Sequence, residues 1–161
     1  MDKWDRLIAI EEIKKLKARY FRCVDTKDFE GFGGVFTPDG VLDLRFSYKA
    51  PNFAQPRVDA SLPAEEIFTG RESIIALARK GMTPLLSVHH GHMPEIEIDS
   101  ETSAHGLWAM EDNLWNAPGY PHFYMKGYGH YEETYERLHG AWFIKYCKLT
   151  RLYLTQTTAS E

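Results

Sequence analysis

Two side chains suited to acid-base chemistry stand near the end of the first apolar segment of the chain. Asp25 follows Tyr20 five positions later, after a stretch in which apolar residues recur every three or four positions. That spacing predicts one buried face of a helix over about residues 2–24. The predicted face comprises Leu7, Ile10, Ile13, Leu16 or Lys17, Tyr20 and Val24. A phenol on this face, close to a carboxylate, would give a pocket one chemically reactive end.

A run of histidines supplies a second group of this kind, with His89 and His90 adjacent and His92 two positions further on. Neighbouring residues of a strand point to opposite faces, so His89 and His90 cannot both line one cavity unless a bulge intervenes. Imidazole titrates near neutral pH and therefore suits general-base catalysis. A hydrogen-bonded structural role is the alternative for each of them. We expect no metal site, because ligands must converge at about 2 Å and this spacing divides the rings between two faces.

A third candidate is Asp112, the one acid in an otherwise apolar alternating row of a β-rich run. The row contains Ala104, Gly106, Trp108, Met110, Asp112 and Leu114. A carboxylate on an apolar wall needs a partner or an elevated pKa, whereas at a strand end in water it would be an ordinary surface residue. If the row faces a cavity, Trp108 and Met110 would contact a ligand there, together with Tyr131.

Arg151 lies near the end of a similar row in the last β-rich run, in which Ala141, Phe143, Cys147, Leu149 and Tyr153 share its parity. A guanidinium at that place would anchor an anionic or carbonyl group of a ligand. The alternative is a solvated arginine at a strand end.

These groups need helices and strands that bring them together. We predict helices over residues 2–24, 28–36 and 71–80, the last closed by Gly81. The Thr37–Gly40 segment has the composition of a turn, and a strand is expected at 41–47. Long β-rich runs follow at 85–99, 103–115, 123–138 and 142–155, with Gly91, Gly106, Gly127 and Gly129 as points of bending or close approach. The proline-containing stretch 48–66 is predicted to be a long loop, either a lid, which we favour, or a disordered excursion.

Such an order predicts an α+β fold, with three helices covering one face of a highly curved antiparallel sheet. At 161 residues and 43% hydrophobic, the chain is expected to form a single domain over residues 1–161 with a sizeable core. Its net charge of −4, without a basic run, gives no reason to expect nucleic acid or an anionic membrane as partner. The charged opening segment is neither a signal peptide nor a membrane span, and Cys23 and Cys147 suit reduced thiols, so the cytoplasm is the expected compartment.

Several motifs, taken in order, resemble the SnoaL-like branch of the NTF2-like superfamily. They are Tyr20 to Asp25, the His89-to-Ile96 segment, Ile98 to Thr102, Glu111-Asp112-x-Leu114, Tyr135-Glu136 and Gly140-x-Trp142-x-Ile144. Among its members the sequence looks most similar to bile-acid 7α-dehydratases, and more distantly to scytalone dehydratases and lindane dehydrochlorinases. The resemblance implies an α+β barrel around a conical apolar cavity, assembled as a homodimer or homotrimer. The stretch 46–67 departs from it, because it is longer and richer in proline than in the bile-acid enzymes.

The same resemblance implies that Tyr20, Asp25, His89, Asp112 and Arg151 are the site residues of a cofactor-independent dehydratase. Its substrate would be an apolar polycyclic or aromatic hydroxylated small molecule that loses water or HX. His89 would abstract a proton, Asp25 or Asp112 would orient its ring, Tyr20 would donate a proton, and Arg151 would anchor the substrate. The alternatives are a ketosteroid-like isomerase and a non-catalytic protein that binds a small molecule or serves as an accessory subunit.

Overall fold

The described part of the chain, residues 1–47, Ala50 and 66–158 of a computed structural model, forms three helices and a six-stranded sheet. The helices are α1 (Lys3–Asp25), α2 (Phe29–Gly34) and α3 (Arg71–Met82). The strands are β1 (Phe36–Phe46), β2 (Ile67–Thr69), β3 (Leu85–Ile98), β4 (Ser103–Asn116), β5 (Phe123–Leu138) and β6 (Ala141–Thr158). Within these ranges no helix has the length and apolar character needed to cross a membrane. The predicted lid at 48–66 lies almost wholly outside the described residues.

Helix α1 supplies the apolar layer above the sheet. It begins at Asp2, whose carboxylate accepts the Asp5 backbone N–H at 2.8 Å and so caps the first turn. Its buried face comprises Ala9, Ile13, Leu16, Lys17, Tyr20, Phe21, Cys23 and Val24. The predicted stripe is therefore correct from its middle onward but wrong at Leu7, which is 47% exposed. Trp4 and Ile8 are exposed as well, although Arg6 in the same turns donates to the Ile98 carbonyl of β3.

The other helices differ only slightly from the prediction. Helix α2 is shorter than expected and starts at Asp28, which accepts the Gly31 backbone N–H at 2.9 Å. Helix α3 continues through Gly81 to Met82 instead of ending there. A glycine inside a helix costs only about 1 kcal/mol relative to alanine, so the next residues can still close the last turn.

The sheet is mixed, with the strand order β2-β1-β6-β5-β4-β3. The pairs from β3 to β6 are antiparallel, as predicted, but β1 runs parallel to β6. Parallel neighbours need a long crossover connection, and here the chain between β1 and β6 includes α3 and the four strands β2 to β5. The expected turn at Thr37–Gly40 is wrong, because this segment continues β1 across a register shift between Phe36 and Val41.

Register shifts also decide which residues of β6 point toward the helices. In the first shift, β6 has one more residue than β5 opposite Thr134 and Tyr135, and that extra residue is Lys145. In the second, the extra residue of β6 is Leu152, opposite Tyr128 and Gly129 of β5. An extra residue reverses the alternation. The uniform row predicted from Ala141 to Tyr153 is therefore wrong at both ends. The inward positions of β6 are Trp142, Ile144, Cys147, Leu149, Arg151 and Leu154, all buried.

The main core forms where α1 crosses the inward face of the sheet. Tyr20 and Phe21 of α1 pack against Tyr131 of β5, with ring centroids 5.7 and 5.9 Å apart. A smaller apolar cluster, made of Ala50, Leu114, Phe123, Met125 and Leu154, fills the far end of the same face. The inward rows of β3 to β6 thus lie beneath the C-terminal half of α1, which is where the candidate residues converge.

Candidate functional site

His89 and Asp112 face each other across the β3–β4 pair, because His89 is the register partner of Asp112. Both side chains point inward and are nearly buried, with 9% and 3% of their surfaces exposed. His90 points to the opposite face, where its Nδ1 lies 3.1 Å from Glu111 Oε1. Strand alternation therefore separates the two histidines as the sequence predicts. The ring at position 89 is the one that belongs to the interior.

Asp25, at the last position of α1, holds His89 through both of its carboxylate oxygens. Oδ1 lies 2.6 Å from His89 Nδ1, and Oδ2 accepts the His89 backbone N–H at 2.8 Å. Burial would by itself raise the pKa of Asp25, but the hydrogen bonds and the charge interaction with His89, aided by Ser87, outweigh it and lower that pKa below 3.8. An ionised Asp25 fixes the proton of a neutral imidazole on Nδ1 and leaves Nε2 as the basic nitrogen. Of the two predicted acids, Asp25 is the one that orients His89.

Two further residues extend this arrangement and were not predicted. The Ser87 hydroxyl donates to Asp25 Oδ1 at 2.8 Å, and Lys27 Nζ donates to the Ser87 oxygen at 3.1 Å. Ser87 shares the inward parity of His89, so alternation along β3 gave a signal that would have identified it. Lys27 gave none, because its position depends on a backbone φ of +64° just past the end of α1.

Asp112 is paired with Arg151 in the interior. Two guanidinium nitrogens of Arg151 donate to the two carboxylate oxygens at 2.8 and 2.7 Å, and both side chains are 3% exposed. Arg151 Nε also donates to the Ser47 carbonyl at 3.1 Å. The alternative of a solvated strand-end arginine is therefore wrong. His89 Nε2 lies 4.0 Å from Asp112 Oδ2, which is too far for a hydrogen bond. The Asp112–Arg151 pair therefore lies beside the Nε2 edge of the imidazole ring.

Tyr20 and Tyr131 form a pair of buried phenols next to this ion pair. Burial raises the pKa of Tyr20 well above 10, and Tyr131, Cys147 and Glu133 raise it further. Burial also raises the pKa of Tyr131, and the charge of Asp112 adds to the effect while Arg151 partly opposes it. Both hydroxyls therefore stay protonated at neutral pH and can act only as proton donors or neutral acceptors.

Below the phenols lies a fully buried charge pair that the sequence analysis did not predict. Lys17 Nζ donates to Glu133 Oε1 at 2.5 Å, and neither side chain has any exposed surface. The ammonium also lies over the rings of Tyr20 and Tyr131, 3.9 and 3.6 Å from their centroids. Glu133 Oε2 accepts the Tyr135 hydroxyl at 2.6 Å. The Lys17 ammonium therefore packs against the ring faces of both phenols, and Glu133 balances its charge.

The predicted ligand contacts Trp108 and Met110 both lie on the inward wall of β4, 5% and 2% exposed. The Trp108 indole N–H donates to the Tyr135 hydroxyl at 2.8 Å, and Met110 Sδ lies 3.5 Å from an Arg151 nitrogen. Met110 therefore borders the Asp112–Arg151 pair, whereas Trp108 is hydrogen-bonded to Tyr135, which in turn donates to Glu133. Contact of Trp108 and Met110 with a ligand stays a prediction.

A surface groove lies elsewhere, between α2 and α3. It is lined by Glu30, Glu72, Ile75, Ala76, Arg79 and Lys80. None of these residues belongs to the inward faces of β3 to β6, so this groove is separate from the His89 site.

Comparison with known proteins agrees with this architecture. The sequence profile of the SnoaL-like domain family matches residues 5–148. A Mycobacterium tuberculosis protein of unknown function superposes with a TM-score of 0.70 at 25% identity, covering 91% of this chain and 77% of that one. The type 2 hexachlorocyclohexane dehydrochlorinase LinA gives 0.75 at 17% identity, covering 99% and 96%. A candidate scytalone dehydratase from Novosphingobium aromaticivorans gives 0.71 at 22% identity, covering 96% and 91%.

The two lower identities indicate a shared fold and nothing finer. A particular closeness to bile-acid 7α-dehydratases stays a prediction. Because the family profile spans most of the chain, including α1 with Asp25 and the strands that carry His89 and Asp112, this chain belongs to the SnoaL-like family of the NTF2-like superfamily.

Proposed function

We propose that this chain is a cofactor-independent lyase that eliminates water, or HX, from an apolar cyclic small molecule. The observation that carries the proposal is the pair of hydrogen bonds between Asp25 and His89. Both oxygens of one ionised carboxylate bind the histidine, at Nδ1 and at the backbone N–H, so that Nε2 is left as the base. A residue with a purely structural role needs no such orientation of a single free nitrogen.

The proposed reaction begins with transfer of a substrate proton to Nε2. The proton comes from a carbon next to a carbonyl or another electron-withdrawing group, and the electrons of the broken C–H bond form the new double bond. Asp25 stabilises the imidazolium that results, since it remains ionised and lies 2.6 Å from Nδ1. The leaving hydroxyl departs with its bonding electrons and takes a proton, either back from Nε2 or from a neighbouring phenol that then recovers a proton from Nε2, so both groups return to their starting state. No net oxidation occurs, so the chemistry requires no redox cofactor.

The Asp112–Arg151 pair borders the place where this leaving group would lie. The 4.0 Å gap between His89 Nε2 and Asp112 Oδ2 allows one hydroxyl to lie within hydrogen-bond reach of both atoms. The charges of that pair act on the pKa of Tyr131, which Asp112 raises and Arg151 lowers, so Tyr131 is a candidate donor to the leaving group. Tyr20, which contacts Tyr131, would act through it or donate to a more distant oxygen of the substrate.

The direct test is a substrate panel followed by mass spectrometry. Because similar structures include a hexachlorocyclohexane dehydrochlorinase and a candidate scytalone dehydratase, the panel includes hexachlorocyclohexane, scytalone, and hydroxylated and enone polycyclic compounds. Elimination appears as loss of the mass of HCl or of water. A product of unchanged mass with a moved double bond would instead favour the isomerase. No turnover across the panel, with tight binding of its members, would favour a carrier or accessory protein.

Matched variants then assign the chemistry. We expect His89→Ala to reduce turnover about a hundredfold or more, the usual effect of losing one acid-base group. His90→Ala is the control, since this neighbouring histidine is exposed on the other face and should leave turnover unchanged. Tyr20→Phe is expected to lower turnover to a comparable extent without unfolding the protein. Full activity of the His89 variant would refute the proposal.

A further inference from the structure

A chain of polar side chains leads from the end of α1 to His89, and it ends in a residue with an unusual backbone conformation. Lys27 has φ at +64°, in the left-handed region that residues with a side chain seldom adopt. This conformation turns the side chain back across the end of α1, so that Nζ lies 3.1 Å from Ser87 Oγ and 3.4 Å from the Val24 carbonyl. A lysine near the C-terminus of a helix satisfies its carbonyls as a cap. The contact with Ser87 goes beyond that role.

Hydrogen-bond chemistry fixes the direction of the Ser87 hydroxyl. A charged ammonium can only donate, and an ionised carboxylate can only accept. Ser87 lies between one of each, with Lys27 at 3.1 Å and Asp25 at 2.8 Å, and it is 8% exposed. Its single proton must therefore point at Asp25, since its lone pairs face Lys27. The serine transmits the lysine charge to Asp25 as an oriented dipole.

The charges around His89 balance in pairs within the described residues. Asp25 and Lys27 approach from the end of α1, and Asp112 of β4 is paired with Arg151 of β6. The proximity of Asp25 raises the pKa of Lys27, but burial has the larger effect and lowers that pKa below 10.5. Without Lys27, two carboxylates and one cation would surround the imidazole. Loss of this cation would raise the pKa of Asp25, because a nearby positive charge stabilises the ionised carboxylate.

We propose that Ser87 and Lys27 are positioning residues for His89, which keep Asp25 ionised and directed at Nδ1. The catalytic role of these two residues rests on the proposed function. Their contacts with Asp25 and with each other do not depend on it. Neither residue touches the reacting atoms. Both act through Asp25, the residue whose two oxygens hold the histidine.

The test is a pH titration of the Asp25 carboxylate by NMR, which needs no substrate. In Lys27→Met we expect the midpoint of this titration to rise by about half a pH unit, because one nearby cation is lost. Lys27→Arg keeps the charge and should restore the original midpoint. Lys14→Met is the control, since this lysine lies within α1, is 42% exposed and is paired with Glu11. An unchanged midpoint in Lys27→Met, with only reduced stability, would show a helix cap and overturn the proposal.

Ser87 gives an independent readout on whichever panel compound is turned over. Ser87→Ala should lower kcat about tenfold and leave KM unchanged, because the serine orients the base without binding the ligand. Combined with Lys27→Met, it should add little, since both act through one bridge. Additive losses would contradict the shared bridge. If no compound is turned over, the proposed function fails while the NMR titration still decides the role of Lys27.

Discussion

Replacing Lys17 should destabilise the protein far more than replacing any exposed lysine of the same helix. Lys17 and Glu133 are both fully buried, so Lys17→Met leaves a carboxylate in the interior without its cation. Removing one partner of a buried ion pair typically costs about 3–5 kcal/mol. The ammonium also lies 3.6 and 3.9 Å from the ring centroids of Tyr131 and Tyr20, and these contacts disappear as well. The expected loss is a large part of the roughly 5–15 kcal/mol that stabilises a typical domain.

The pair on the preceding turn of α1 provides a close control. Lys14 and Glu11 lie 2.7 Å apart, nearly the same distance, but they are 42% and 61% exposed. Exposed pairs of this kind contribute about 0–1 kcal/mol, so Lys14→Met should change the free energy of unfolding by no more than that. The comparison isolates burial, because helix, residue type and distance are nearly matched.

The assay is equilibrium unfolding in urea for Lys17→Met, Glu133→Gln, the double variant and Lys14→Met. The double variant carries no unpaired charge, and a Gln side chain still has an oxygen to accept the Tyr135 hydroxyl. We therefore expect it to regain most of the stability that each single variant loses. If Lys17→Met costs less than 1 kcal/mol, like an exposed lysine, the reasoning from burial is refuted. Equal losses in the single and double variants would refute the assignment to unpaired charge.

Two further predictions concern other parts of the sheet. Gly127→Ala should displace the Arg151–Asp112 pair, because an added Cβ would lie 2.6 Å from Asp112 Oδ1 and closer still to the guanidinium. We expect the free energy of unfolding in urea to fall by about 1–3 kcal/mol. An unchanged midpoint of urea unfolding would contradict this prediction. Asp43 accepts hydrogen bonds from Arg45, and these contribute most to lowering the pKa of Asp43 from 3.8 to about 2. The ionised Asp43 therefore stabilises the fold by at most about 2 kcal/mol. This contribution is complete above pH 3.8 and is lost as the pH falls toward 2. Asp43→Asn should therefore flatten the acid limb of the stability curve, and a parallel curve would contradict this.

Residue periodicity predicted which side chains of a regular element share a face. Alternation separated His89 from His90 without indicating which of them points inward, and the apolar row around Asp112 is the inward row of β4. The helical spacing of apolar residues up to Val24 predicted that the buried face of α1 ends next to Asp25, close to Tyr20. These predictions succeeded because local repeats of 3.6 and 2 residues decide which face a side chain occupies.

The rest depended on contacts that no local pattern records. Lys17 and Glu133 lie 116 positions apart, and the helix pattern offered position 16 or 17 without indicating a buried charge. The two extra residues in β6 reversed its alternation, since a bulge shifts parity without a clear signature in composition. Pairing between Asp112 and Arg151 follows from the order of β4, β5 and β6 in the sheet, which sequence spacing does not determine. Assembly as a homo-oligomer and a cytoplasmic location stay predictions.

The bulge at Leu152 has a consequence for how this chain tolerates insertions. His89 and Asp112 are register partners, and the shift between Gly91 and Pro94 comes after them in β3, so a change of length there leaves the two side chains facing each other. The extra residue Leu152 instead adjoins Arg151 directly. Deleting it would rotate the segment beyond Arg151 onto the other side of the sheet. We therefore expect a change of length along the outer part of β3 to leave the His89–Asp112 pairing intact, whereas a change in the stretch of β6 after Arg151 should reverse its faces.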